Sequence, residues 1–303
     1  MTPPNHVVRK ARLGLKIYFI ALCAGSIPIE WLITRYGLSV GSVLALMWVP
    51  ALASAIARTI LREGVSDISF RLWLSRAPWA LLAAWLFPVA VGAVAYAVGW
   101  MAGLGSFAPP EMGKLVGYFG SPSWRFAFLL GSTLMLNVPI SMLFTAGEEI
   151  GWRGYMLTRL IAAGVPKPIL MSGLIWGLWH IPLILSGRYV TSSGPLLSAA
   201  LFMVTIVAGG YLIAWLRLAT GSVWPAILFH AAWNTVIQDI FDRSTSGRSI
   251  WLGESGLLVV IVSVILVICV APLFRNAVTH AIERILADRA QASGSARDIV
   301  AQP

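Results

Sequence analysis

Three small groups of polar residues stand inside otherwise apolar stretches of this sequence, each with the spacing of a helix face. The first is Glu148-Glu149 followed by Arg153. Residues four apart share a face, so Glu149 and Arg153 can pair, while Glu148 points about 100° away. One carboxylate is then held by the guanidinium and the other is free to act. Trp176 and His180 share a face in the same way, and so do His230 and Asn234. A partly buried glutamate is a competent general base toward water, with a histidine to position it. A histidine and an asparagine on a neighbouring helix can donate hydrogen bonds to a developing oxyanion. These are the parts for hydrolysis of a peptide bond by activated water, and no serine or cysteine nucleophile accompanies them. Glu148, His180 and His230 are also the ligand types of a His₂Glu zinc site, although the helical H-E-x-x-H spacing is absent. Metal-independent chemistry is the preferred expectation, with no cofactor and zinc as the alternative.

Each group has a bland reading on its own. The Glu148 group reads as a helix end at the membrane surface, His180 as one hydrogen-bonded histidine, and His230 with Asn234 as polar glue between helices. Depth weakens these readings jointly. His180 and His230 fall about 13–17 Å into their spans at 1.5 Å per residue, and Glu148 is brought to the same half of the bilayer. Of four histidines, only these two lie within spans; His6 and His280 flank them. The convergence predicts one polar cavity open to the cytosol.

Long apolar helices must position these groups. The chain has 303 residues, of which 58% are hydrophobic and 11% charged, and its mean hydropathy is +0.81. A soluble domain carries about 25% charged residues. Runs of about 20 apolar residues are long enough to span a bilayer. They occur at roughly 15–35, 39–60, 78–102, 126–147, 169–187, 195–216, 222–241 and 255–274, which predicts an all-α integral membrane protein of about eight transmembrane helices. The first run continues too far and lacks the cleavage site of a signal peptide. Residues 1–14 and 275–303 are expected as cytosolic tails around a membrane domain at 15–274. The second tail begins as a short amphipathic helix and ends disordered. The stretch from Arg62 to Arg76 reads as an interfacial helix, and 103–124, rich in Gly and Pro, as a loop. With both termini cytosolic, the inside segments hold fifteen basic residues and the outside six, as the positive-inside bias requires. The net charge of +10 therefore points to lipid headgroups rather than nucleic acid. Cys23 and Cys269 both sit in apolar runs and offer neither a disulfide framework nor a metal motif. A proton-relaying transporter is the third function class; it fits less well because no internal repeat is evident.

Glu148-Glu149-x-x-x-Arg153, then Trp176-x-x-x-His180, then His230-x-x-x-Asn234, in that order on three helices, resembles the CPBP or Abi group. That group includes type II CAAX prenyl endopeptidases, lysostaphin-resistance-protein-like members and bacterial relatives linked to bacteriocin self-immunity. The resemblance covers roughly residues 125–240. It implies an eight-helix fold with a conical cavity facing the cytosol. Glu148 would be the base that activates water, with His180 helping to position it. His230 and Asn234 would form the oxyanion hole, and Glu149 and Arg153 would support the site. The second motif usually begins with Phe, and Trp176 stands there in this chain, which alters the aromatic wall. The implied partners are the lipid bilayer and a peptide or membrane-protein substrate, lipidated in the CAAX case. The implied location is a cell membrane, the bacterial inner membrane by the flavour of the first motif. A non-catalytic immunity or scaffold protein of the same fold is the alternative function.

Overall fold

The computed structural model describes residues 4–70, 78–109, 121–189, 194–247 and 249–300, with side chains to 289. Among the described residues, eight helical rods make up the fold. They are α1 (Asn5–Tyr36), α2 (Val40–Ile60), α3 (Pro78–Met101), α4 (Pro122–Ala162), α5 (Pro168–Leu185), α6 (Pro195–Thr220), α7 (Trp224–Trp233 continuing without a break as Asn234–Asp242) and α8 (Leu257–Val300). Seven of them are long and apolar enough to cross a bilayer. The eighth, α7, reaches spanning length only as its two segments together. The chain is a multi-pass membrane protein.

Local signals start and stop the rods. Ser39 Oγ accepts from the Ser42 amide at 3.1 Å, while Ser42 Oγ accepts from the Ser39 amide at 3.0 Å, a reciprocal cap for α2. Ser121 caps α4. Proline in the first turn opens α4, α5, α6 and α7, where its missing N–H is no loss. Gly221, at φ 68°, closes α6 in the left-handed conformation that glycine adopts without strain.

The packing is that of a membrane bundle. Large apolar side chains such as Ile20, Leu196 and Leu273 are 72–79% exposed, a surface suited to lipid and not to water. Small residues (Ala53, Ala57, Ala84 and Ala95) are buried between helices and let backbones approach. The closest approach to another helix's backbone is at α4, where a Cβ on Gly151 would lie 2.5 Å from the Pro50 carbonyl carbon. A Cβ on Gly147 would lie 2.6 Å from the Met47 carbonyl oxygen, and one on Gly151 would lie 2.4 Å from Pro50 Cβ. Glycine at both positions therefore seats α4 on α2 on either side of Glu148 and Glu149.

Several elements differ from the sequence reading. The fourth rod begins at Pro122 and runs 41 residues to Ala162, well past the expected end at 147. It can continue because its charges are paired inside the bundle, so the Glu148 group lies within a buried helix and not at an emerging end. The last rod continues through residue 275 to Val300, where a separate helix and a disordered end were expected. Residues 61–70 form turns and no helix; the rest of the expected interfacial helix, 71–77, lies outside the described residues. The 103–124 loop contributes a strand, Ser106–Phe107, that pairs antiparallel with Thr245–Ser246 and ties the α3–α4 connection to the α7–α8 connection. Residues 110–120 of that loop lie outside the described residues.

At the end of the bundle that carries Asn5, buried arginines meet two acids of the α2–α3 connection. Asp67 accepts from Arg58 (2.6 Å), Arg159 (2.7 Å) and Arg289 (2.8 Å), and Glu63 accepts from Arg159 at 2.5 Å. Arg217 donates to the Asp67 carbonyl oxygen at 2.5 Å. Arg58, Arg159 and Arg217 were counted among the charges that set topology at the headgroups. They are instead 1–5% exposed and join α2, α4 and α6.

Candidate active site

The first motif sits where α4 changes its winding. Val138–Glu149 is α-helical and Ile150–Met156 is a π-helical stretch. The third motif sits at a similar junction, with His230 in α-helix and Asn234 opening the π-helical half of α7. Such widened turns re-aim side chains, and they are frequent at functional sites.

The expected pair forms: Arg153 Nη1 donates to Glu149 Oε1 at 2.9 Å, both fully buried. The same oxygen meets His230 Nδ1 at 2.8 Å, so Glu149 bridges α4 and α7. Its other oxygen, Oε2, is buried without a hydrogen-bond partner. The Arg153 guanidinium lies 4.0 Å from the centre of the Trp176 ring, a cation–π contact that adds α5.

Glu148 is less free than its spacing predicts. Its Oε2 accepts from the indole of Trp176 at 2.8 Å and from that of Trp152 at 3.2 Å. Both donors are neutral, and Oε1 stays outside these bonds. Glu148 is 2% exposed, and it reaches the pocket wall through Trp176. Trp176 is thus more than an aromatic replacement. Its N–H gives the glutamate a bond that phenylalanine has no atom to make.

His180 is placed by Trp176 as well: its Nδ1 lies 2.8 Å from the Trp176 carbonyl oxygen. A carbonyl only accepts, so Nδ1 carries a proton, and in the neutral ring Nε2 keeps its lone pair. The carboxylate of Glu149 sets the Nδ1 proton of His230 by the same argument. For Nε2 of His230 to donate to an oxyanion the ring must be an imidazolium, and Glu149 supplies its counter-charge.

A pocket lies against these residues, lined among others by Trp176, His180, His230, Asn234, Tyr189 and Glu254. His180, His230 and Asn234 therefore share one space, as expected. Tyr189 and Glu254 come from the α5–α6 and α7–α8 connections, at the end of the bundle away from Asn5. His180 itself is five residues, about 8 Å, from the end of α5 at Leu185. The wall thus runs from the end opposite Asn5 to Ile213, seven residues before the end of α6 at Thr220.

Sequence reasoning missed Glu254, and with it the second half of the pocket. Its Oε1 accepts from Trp233 Nε1 at 2.9 Å, and its Oε2 from Tyr189 Oη at 3.1 Å and Gln238 Nε2 at 3.0 Å. It is 3% exposed, and burial pushes its carboxyl up to about 7. The available signal was an acid three residues before the most apolar helix of the chain. Trp152 was missed as well, although its spacing of four from Glu148 was readable.

The zinc alternative needs Glu148, His180 and His230 to converge. Nδ1 bonds to protein oxygens would suit histidines that ligate through Nε2. Among the described residues, however, no group of three or more His, Cys, Asp and Glu side chains is placed to hold a metal ion.

Comparison with known proteins bears on the same segment. Residues 122–236 match the family of type II CAAX prenyl endopeptidases, Rce1-like. The match is well under half of the chain, yet it contains all three motifs. CAAX prenyl protease 2 of Methanococcus maripaludis is 29% identical over 157 residues, which are 49% of this chain and 56% of that relative. The aligned part thus spans about half the length of the relative. The family resemblance is shown over the part of the chain that holds the site.

Proposed function

We propose that the chain is an intramembrane endopeptidase that hydrolyses a peptide bond with a water activated by Glu148, without a metal ion. The observation that carries this reading is the joining of the three motifs through Glu148–Trp176 and Glu149–His230, contacts that link α4, α5 and α7. Glu148, through the oxygen outside the indole bonds, takes a proton from water, and Nε2 of His180 accepts a hydrogen bond from the same water. The water oxygen adds to the carbonyl carbon of the scissile bond. The carbonyl oxygen becomes an oxyanion facing Nε2–H of His230 and the amide N–H of Asn234. Collapse of that intermediate breaks the C–N bond, and the proton on Glu148 passes to the leaving nitrogen, giving a carboxylic acid and an amine. Glu149 and Arg153 act on orientation: the first holds His230, and the second holds Glu149 and Trp176. The relative's name includes a prenyl protease activity, so a lipidated C-terminal peptide is the first substrate to offer.

The test is cleavage, in liposomes, of a fluorescence-quenched CAAX peptide with and without a farnesyl group on its cysteine. Glu148→Gln should lower turnover by about 10²-fold or more, the general-base contribution, while the elution profile on size exclusion stays that of the wild type. Wild-type turnover by Glu148→Gln would move the base elsewhere. Turnover lost to a chelator and restored by zinc would replace the metal-independent step.

A further inference from the structure

Glu254 is a buried carboxylate on a pocket wall, and among the described residues no Lys, Arg or His side chain bonds or pairs with it. Its three partners, Trp233, Tyr189 and Gln238, are all neutral donors. The charged side chain that acts on it is Asp242, of like sign, itself hydrogen-bonded by Tyr96. Isolated buried charge is costly and ordinarily finds an opposite charge or is neutralised. One acceptor position of the carboxylate stays open. Oε1 takes only the Trp233 N–H, so one of its acceptor positions is open, whereas both of those on Oε2 are used.

A second observation concerns the same pocket. Thr205 lines the pocket from α6, is 2% exposed, and its Oγ1 is buried without a hydrogen-bond partner. A hydroxyl oxygen has lone pairs that can accept an N–H as well. The lining of the pocket also includes Phe202, Phe229 and Trp233, the last bonded to Glu254, and aromatic faces attract cations once water is removed. Carboxylate, hydroxyl and aromatic faces together accept N–H donors and positive charge, and they repel anions.

We propose that the Glu254–Thr205 part of the pocket is a subsite for a basic side chain, lysine or arginine, of the peptide that occupies it. The subsite lies beside His180, His230 and Asn234, so it selects the residue that flanks the bond presented to them. Only in taking the occupant to be a peptide does this rest on the peptidase reading.

The experiment measures binding and cleavage separately on the full chain in nanodiscs. Fluorescein-labelled, end-capped apolar peptides carry lysine or norleucine at one position, which is scanned along the peptide. At one position lysine should bind about tenfold tighter than norleucine, a difference of about 1.4 kcal/mol. Glu254→Gln should bring that ratio close to one, and Thr205→Val should lower it part of the way. No lysine preference at any position of the wild type overturns the subsite, and so does a preference that survives Glu254→Gln. Should Glu254→Gln fail to fold, the wild-type scan and Thr205→Val still decide. Lysine-selective binding without cleavage removes the peptidase and keeps the subsite. Cleavage without lysine preference does the reverse.

Discussion

The two ends of this bundle treat buried charge in opposite ways. At the end with Asn5, Arg58, Arg159, Arg217 and Arg289 converge on Glu63 and on the side chain and carbonyl of Asp67, so each carboxylate faces guanidinium groups from several helices. At the other end Glu254 faces three neutral donors and a second carboxylate. Along α7, ten residues, about 15 Å, separate Val223, whose amide donates to the Ser69 carbonyl, from Trp233, which donates to Glu254. Matched charge clamps α2, α4, α6 and α8 to one connection. Unmatched charge clamps nothing that apolar residues could not hold, and it sits beside the catalytic candidates. Departures from local stability rules tend to fall at functional sites. The Glu149 group lies between the two cases: it is paired with Arg153, yet it spends the same oxygen on His230.

The largest effect should come from the clamped end. Asp67→Ala leaves Arg58, Arg159 and Arg289 without a shared carboxylate. Breaking a buried pair costs about 3–5 kcal/mol, and the partial exposure of Asp67, 28% of its side chain, places this one nearer 2–4. Thermal unfolding in detergent should show the loss, while cleavage per folded molecule changes less than about twofold, since no atom of this cluster reaches the pocket. A large fall in turnover by folded Asp67→Ala would mean that the two ends are coupled.

How much of this was legible without coordinates depends on how local each feature is. Glu149–Arg153 follows from a spacing of four on a helix, and the shared pocket of His180, His230 and Asn234 was legible from the matching depth of these residues in their spans, both properties of the chain alone. The eight rods follow from apolar run length. What Glu148 touches was not legible, because Trp176 is 28 residues away and is brought to it by the packing of α5 against α4. The same is true of Arg58 and Arg217, which looked like headgroup charges until Asp67 gathered them. The length of α4 was misjudged for a related reason: hydropathy counts Glu148, Glu149, Arg153 and Arg159 as solvent-seeking, and pairing makes them buriable. Glu254 escaped because a single acid beside an apolar run has no periodicity to reveal which way it points.

A smaller effect separates the ends by their donors. Trp233→Phe removes the N–H that serves Oε1 of Glu254 and keeps most of the ring. Leaving a buried acceptor short of one bond costs about 1–3 kcal/mol. Trp224→Phe removes the bond from Trp224 Nε1 to the Phe70 carbonyl at an exposed site, where water substitutes, and should cost well under 1 kcal/mol. If the two variants unfold together, the pocket end is no more sensitive to a lost donor than the surface is.

The smallest effect is the most diagnostic of unmatched charge. Burial first, and Asp242 with it, raises the carboxyl of Glu254 from 4.5 to about 7, against the hydrogen bonds from Trp233, Gln238 and Tyr189 that favour the anion. A raised carboxyl pKa means that the folded chain holds a proton the unfolded chain has released. Its contribution is therefore present in full below about 4.5 and is lost as pH rises through about 7. Other carboxylates titrate too, so the quantity to read is the melting temperature of the wild type minus that of Glu254→Gln. It should be higher at pH 5 than at pH 8 by a few degrees. A basic ligand beside Glu254 favours the anion and displaces that proton. With the lysine peptide bound, the difference should flatten, and with the norleucine peptide it should persist. A slope equal in both complexes would show that Glu254 is buried for packing and does not meet the ligand, which would return the pocket end to the same class as the arginine clamp.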